Sequence, residues 1–137
     1  MRTYSGVLDR LKAAGLRPTR QRLALAKLLI ESGHRHLTAE DLFHEARTAG
    51  IPVSLATVYN TLHQFTSVGL LREVVVDMGQ SYFDTNTSHH HHFFDEATGR
   101  LADIPEADVS IDRLPVPPEG CEIERVEVIV RLRPVRP

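Results

Sequence analysis

The sequence predicts an α+β chain, on three observations. Helical periodicity fills the first seventy residues, the apolar period changes abruptly after Gly69, and turn-forming residues mark nearly every element boundary. Val7, Leu8 and Leu11 form a brief helical stripe that ends at Ala13-Ala14-Gly15. Pro18-Thr19 opens a second helix, with Leu23, Ala26, Leu29 and Ile30 at helical spacing and Gly33 closing it. Thr38-Ala39-Glu40-Asp41 is a capping signature, a hydroxyl followed three positions on by an acid, and opens a third helix running to Gly50. Pro52 forbids its continuation. Ser54 caps a fourth helix, Leu55 to about Val68, whose stripe is Leu55, Val58, Leu62, Phe65 and Thr66. Beyond Gly69, residues 71–76 read as a strand, Asp77-Met78-Gly79-Gln80 as a turn and 81–84 as a returning strand.

Helices followed by a β-hairpin is the order of a winged helix-turn-helix. Thr38–Ala49 would be its second core helix, Ser54–Val68 its recognition helix and the hairpin its wing. The chain accordingly divides into a winged-helix domain, 1–84, and a second domain, 85–137. In the latter, 91–94 and 101–104 are short strand candidates around a turn at 97–99. A proline-rich stretch with Pro115, Pro117 and Pro118 precedes a last strand at 122–133, where Val126, Val128, Val130 and Leu132 alternate with other residues. Roughly fifty residues bury too little surface to stand alone, so this part is expected to dimerise.

Composition narrows the function. At 137 residues, 42% hydrophobic and 25% charged, the chain sits in the globular range, which argues against wholesale disorder. No apolar run reaches the roughly 18–20 residues of a membrane span, and no leader pattern opens the chain, so a cytoplasmic protein without a membrane partner is expected. The single cysteine, Cys121, excludes an internal disulfide and any multi-thiolate zinc; it reads as a buried, inert thiol. The net charge of −2 conceals an asymmetry: residues 1–72 carry +5 and residues 73–137 carry −7. A basic first half suits contact with a polyanion. Enzyme signatures are missing: there is no phosphate loop, no GxSxG and no HExxH.

Four consecutive histidines, His89 to His92, are the most unusual feature. On a strand, His90 and His92 would share one face and His89 and His91 the other. Paired neutral imidazoles suit Zn, Mn, Fe or haem iron, in preference to a solvated polar loop; pH sensing is a third reading. His34 and His36, taken alone, read as exposed loop residues, and His44 and His63 as structural or surface positions. Ser54, Thr57, Tyr59 and Asn60 open the fourth helix, where hydroxyls and a helix N-terminus can meet phosphate, and where Tyr59 and Asn60 can reach a thymine methyl and an adenine edge; an ordinary capped helix is the alternative.

Three blocks, Gly15-Leu16-Arg17-Pro18-Thr19-Arg20-Gln21-Arg22, His36-Leu37-Thr38-Ala39-Glu40-Asp41-Leu42 and residues 54–62, together resemble the ferric uptake regulator family. Residues 83–88 leading into the histidine run are similar to its iron response regulator branch. The resemblance covers about residues 5–110. It implies an N-terminal winged helix joined to a small C-terminal α/β dimerisation domain. It also implies a transcriptional repressor, sometimes activator, that acts as a homodimer on double-stranded DNA operators. Thr57 and Tyr59 would meet the major groove and Arg17 the minor groove, with Asn60 in place of an arginine common in the family. The regulatory metal would be held by His36, Asp84, His90, His92 and Asp103, with Mn(II), Fe(II) or Zn(II) as candidate ions. His89 and His91 match a second metal site whose other ligands are not recognisable here. The branch resemblance implies haem sensing at His89, His90, His91 and His92, with operators occupied when iron is scarce and released by haem. A metal-activated repressor of the same fold, and a haem or metal carrier, are the alternatives. Asp95 and Thr98 stand where many members place a CxxC, so a four-cysteine structural zinc is impossible.

Overall fold

The computed structural model describes residues 5–31, 33–77 and 80–136. The chain divides into two units, Met1–Thr87 and Ser88–Pro137. The first holds α1 (Ser5–Ala13), α2 (Arg20–Glu31), β1 (His36–Leu37), α3 (Ala39–Thr48), α4 (Leu55–Ser67), β2 (Arg72–Asp77) and β3 (Gln80–Asp84). The expected helices and hairpin are all present, and the two central residues of the expected turn, Met78 and Gly79, lie outside the described residues.

Local chemistry sets these boundaries. The Thr38 hydroxyl accepts from the Asp41 amide at 3.1 Å while the Asp41 carboxylate accepts from the Thr38 amide at 3.0 Å, a complete capping box for α3. Ser54 caps α4 by accepting from the Thr57 amide at 3.1 Å. Helix α3 ends in a Schellman motif: Gly50 donates to the Arg47 carbonyl and Ile51 to that of Ala46, with Gly50 at φ 73°. Gly69 and Leu70 repeat it at the end of α4.

The core of this unit gathers Leu11 of α1, Leu25 and Leu29 of α2, Leu42 and Ala46 of α3, Val58, Leu62 and Phe65 of α4, and Leu37 and Phe83 from the sheet. Strands order as β1-β3-β2, all antiparallel. Strand β1, two residues long, was not expected from the sequence; it sets His36 opposite Asp84 and Leu37 opposite Phe83.

The second unit is a three-stranded sheet, β4 (His91–Asp95), β5 (Arg100–Ile104) and β6 (Ile129–Leu132), ordered β5-β4-β6. β5 is antiparallel and β6 parallel to β4. Its helical component is a three-residue 3₁₀ turn, Glu106–Asp108, in keeping with the prolines that follow. Two expectations are corrected here. The last strand covers 129–132 and not 122–133, because β4 offers partners only from His92 to Asp95. At the edge of that register the Val128 carbonyl still accepts from the His92 amide at 3.1 Å, but the Val128 amide donates to a ring nitrogen, His91 Nδ1, at 3.0 Å. Cys121 is exposed and not buried, since it ends the turn Pro118-Glu119-Gly120-Cys121 in the irregular proline-rich segment, outside any strand.

Candidate functional site

Two sets of metal-type donors emerge, one in each unit. In the first, the β1–β3 register places His36 Nε2 3.0 Å from Asp84 Oδ2, with Asp84 buried and His36 half-buried. Asp84 is oriented from behind, its Oδ1 accepting from the Asn86 amide at 2.8 Å. Arg35 anchors β1 on both sides: its backbone exchanges bonds with Thr85, and its guanidinium pairs with Glu45 of α3. The Glu45 hydrogen bond raises the Arg35 pKa, so this anchor stays charged.

In the second unit, His90 Nε2 lies 3.0 Å and His92 Nε2 3.5 Å from the same oxygen, Asp103 Oδ1. The two rings share one face, centroids 4.5 Å apart. The Asp103 position follows from strand pairing, which sets it opposite His92. His90 Nδ1 is 2.7 Å from the Ser88 carbonyl, which can only accept, so Nδ1 carries a proton. In the neutral ring Nε2 therefore presents its lone pair to a carboxylate oxygen. A proton shared between the two groups, or a metal ion bound by both, would satisfy such facing lone pairs. A backbone carbonyl on the far nitrogen is the usual support of a metal-bound histidine. The nitrogen and oxygen donors here fit Mn, Fe or Zn.

His89 and His91 turn the other way, rings edge to face at 5.3 Å, beside a cavity of about 470 Å³ lined also by Val109, Ile111, Leu114 and Ile123. His91 differs from His90 in one decisive respect. Its Nδ1 accepts from the Val128 amide, so the neutral ring is protonated at Nε2. Binding iron through Nε2 would put the proton on Nδ1, against an amide that also donates. His91 therefore would not suit binding haem iron through Nε2 while that bond stands; His89, which is exposed, carries no such constraint.

The candidate nucleic-acid face lies on α4 and the residues around it. Ser54 and Thr57 hydroxyls pair at 2.9 Å at the helix N-terminus. Arg17, Thr19, Gln21, Arg22, Thr57 and Asn60 surround a polar hollow of about 360 Å³. Tyr59 is exposed and its hydroxyl donates to Glu40 Oε1 at 2.8 Å, which raises its pKa. Sequence reasoning missed two residues that shape this face. Arg22 bonds the Arg17 carbonyl at 2.8 Å and Gln64 Oε1 at 3.2 and 3.0 Å, locking the Arg17 segment to α4. Glu40, in sequence, is part of a helix-capping signature and nothing more. Their partners are 42 and 19 positions distant, beyond any periodic signal.

Residues 13–130 match the ferric uptake regulator family. The chain belongs to that family. Among relatives of this ferric uptake regulator homologue is the peroxide-responsive repressor PerR of Staphylococcus aureus strain Mu50, 38% identical over 95 residues, or 69% of this chain. The match spans 63% of that relative, less than two thirds of its length. Of solved structures, the ferric uptake regulator from Pseudomonas aeruginosa with manganese is 26% identical with a TM-score of 0.72, over 94% of this chain and 98% of that one. The Vibrio cholerae ferric uptake regulator, at 23% identity and a TM-score of 0.71 over 91% and 97% of the two chains, shares the fold.

Proposed function

We propose that this member of the ferric uptake regulator family is a metal-responsive transcriptional repressor, a homodimer that reads operator DNA through α4. A divalent ion such as Mn(II), Fe(II) or Zn(II) is its effector. His36 and Asp84 from the first unit and His90, His92 and Asp103 from the second supply the donors. The observation that carries this reading is the convergence of His90 and His92 on one Asp103 oxygen, with the far nitrogen of His90 committed to a carbonyl. The manganese in the Pseudomonas aeruginosa relative supports the choice of ion. DNA contact is assigned to Ser54, Thr57, Tyr59, Asn60 and Arg17, and the residue boundary between reading and sensing domains to the region of residue 84. The exposed apolar side chains of the second unit, among them Ile111, Leu114, Val130 and Leu132, favour a dimer. An effector that changes DNA affinity a hundredfold needs about 2.7 kcal/mol of coupling between its site and the DNA face.

Release by haem, the iron response regulator reading, is the second proposal, favoured by the cavity beside His89, where Val109, Ile111, Leu114 and Ile123 stand together with the charged Glu106, Glu124 and Arg125. The tautomer of His91 weighs against a ligand pair from that face. One experiment separates the two. DNA selected by the protein from a random library is labelled, and binding is followed by fluorescence anisotropy with Mn(II), chelator, haem and hydrogen peroxide as titrants. The metal reading expects affinity to fall with chelator and in a His90→Ala/His92→Ala variant, with haem inert. Stoichiometric release by haem, abolished by His89→Ala, would establish the second reading instead. Binding indifferent to every titrant would sink both.

A further inference from the structure

We propose that Glu40 is a positioning residue for DNA reading: it holds the Tyr59 ring in its reading orientation and so sets operator discrimination. The inference rests on the proposed DNA contact of Tyr59. Tyr59 is an exposed side chain on α4, and a free tyrosine there would lose rotamer freedom on meeting DNA. The structure restrains it twice in advance. Its hydroxyl donates at 2.8 Å to Glu40, in the first turn of α3. Its ring stacks on His63, one turn further along α4, with centroids 6.4 Å apart and planes 21° from parallel. His63 in turn meets buried Phe83 of β3 edge-on at 5.7 Å. Glu40, Tyr59, His63 and Phe83 line one cleft between α3, α4 and the wing. The restraint therefore runs from one helix, through the reading residue, to the hairpin.

Glu40 is also an odd residue to find beside a surface that meets phosphates. A solvent-facing carboxylate repels DNA in any register, specific or not. Its presence lowers non-specific affinity, while the fixed tyrosine restores affinity only where the correct base edge is offered. Two opposite effects from one side chain give a signature that a purely structural acid lacks.

The test is a double-mutant cycle on the 137-residue chain at fixed Mn(II) and salt, reading affinity for the selected operator and for scrambled DNA. Glu40→Ala and Tyr59→Phe should each lower the operator-to-scrambled ratio about five- to tenfold, the range for a partly screened charge-assisted hydrogen bond. The double variant should fall no further than either single one. Glu40→Gln, which keeps an acceptor oxygen, should recover most of the ratio. Glu40→Ala should also bind scrambled DNA at least as tightly as the unaltered protein. The proposal is overturned if Glu40→Ala acts undiminished in the Tyr59→Phe background, or if it moves both DNAs equally. If Tyr59→Ala leaves every DNA affinity unchanged while the fold persists by circular dichroism, the DNA-reading assignment itself falls, and this inference with it.

Discussion

At Ser54 the stability of α4 and its proposed approach to DNA can be separated by substitution. Its hydroxyl accepts from the Thr57 amide at 3.1 Å and pairs with the Thr57 hydroxyl at 2.9 Å. Ser54→Ala removes the cap, a loss of about 1 kcal/mol. In a unit the size of Met1–Thr87 that corresponds to a fall in Tm of about 4–8 °C. Ser54→Asp keeps the cap, because a carboxylate accepts the same amide bond and suits the positive end of the helix dipole. It should therefore melt within a degree or two of the unaltered protein. On DNA the order reverses. A carboxylate about 4 Å from a phosphate costs about 1 kcal/mol even in bulk water, so affinity should drop at least about fivefold per protomer. Ser54→Ala, with no added charge, should lose less. Differential scanning fluorimetry and anisotropy on the same samples measure both quantities. A Ser54→Ala protein with unchanged Tm would refute the cap's contribution. A Ser54→Asp protein that binds DNA like the original would refute the approach of phosphate to this helix end.

Other substitutions test the core, the second unit and the donors. Leu62→Ala empties a fully buried position on α4 and should cost about 3 kcal/mol, read as a lower midpoint in urea denaturation with little change in slope. Val130→Asp with Leu132→Asp charges two exposed apolar positions on β6, and should shift the proposed dimer to monomer in sedimentation velocity while far-ultraviolet circular dichroism is preserved. Asp103→Asn keeps the side chain's shape but removes its charge from between His90 and His92, and should weaken Mn(II) binding by at least tenfold in calorimetric titration.

The elements that were legible in the sequence are those with a local cause. Thr38 with Asp41, Ser54, and the glycines at positions 50 and 69 each act on neighbours within a few residues, and helices α3 and α4 begin and end beside them. The alternation of the histidine run is local too: His90 pairs with His92 and His89 with His91. What escaped depends on partners far along the chain. Strand β1 is only two residues long, and nothing but its pairing with β3 makes it a strand. The final strand looked longer because alternation continues upstream of residue 129, whereas its length is set by how much of β4 is available. Cys121 looked buried by residue type alone; the turn around it, set by Gly120, decides otherwise. Arg22 and Glu40 carry no signal of their own, since a surface charge is unremarkable until its partner is placed.

The exposure of Cys121 turns an apparent orphan into an experimental handle. It is the chain's single thiol, and it ends a turn closed by a 3.0 Å bond from its own amide to the Pro118 carbonyl, with Gly120 at φ 82°. A nitroxide or fluorophore attached by maleimide chemistry therefore marks one defined point per chain without any substitution, on a backbone stiffened by proline and a hydrogen bond. If two copies associate, the sample carries one pair of labels and one dipolar distance. Following that distance as Mn(II), haem or operator DNA is added would report movement between protomers directly, on the unaltered sequence.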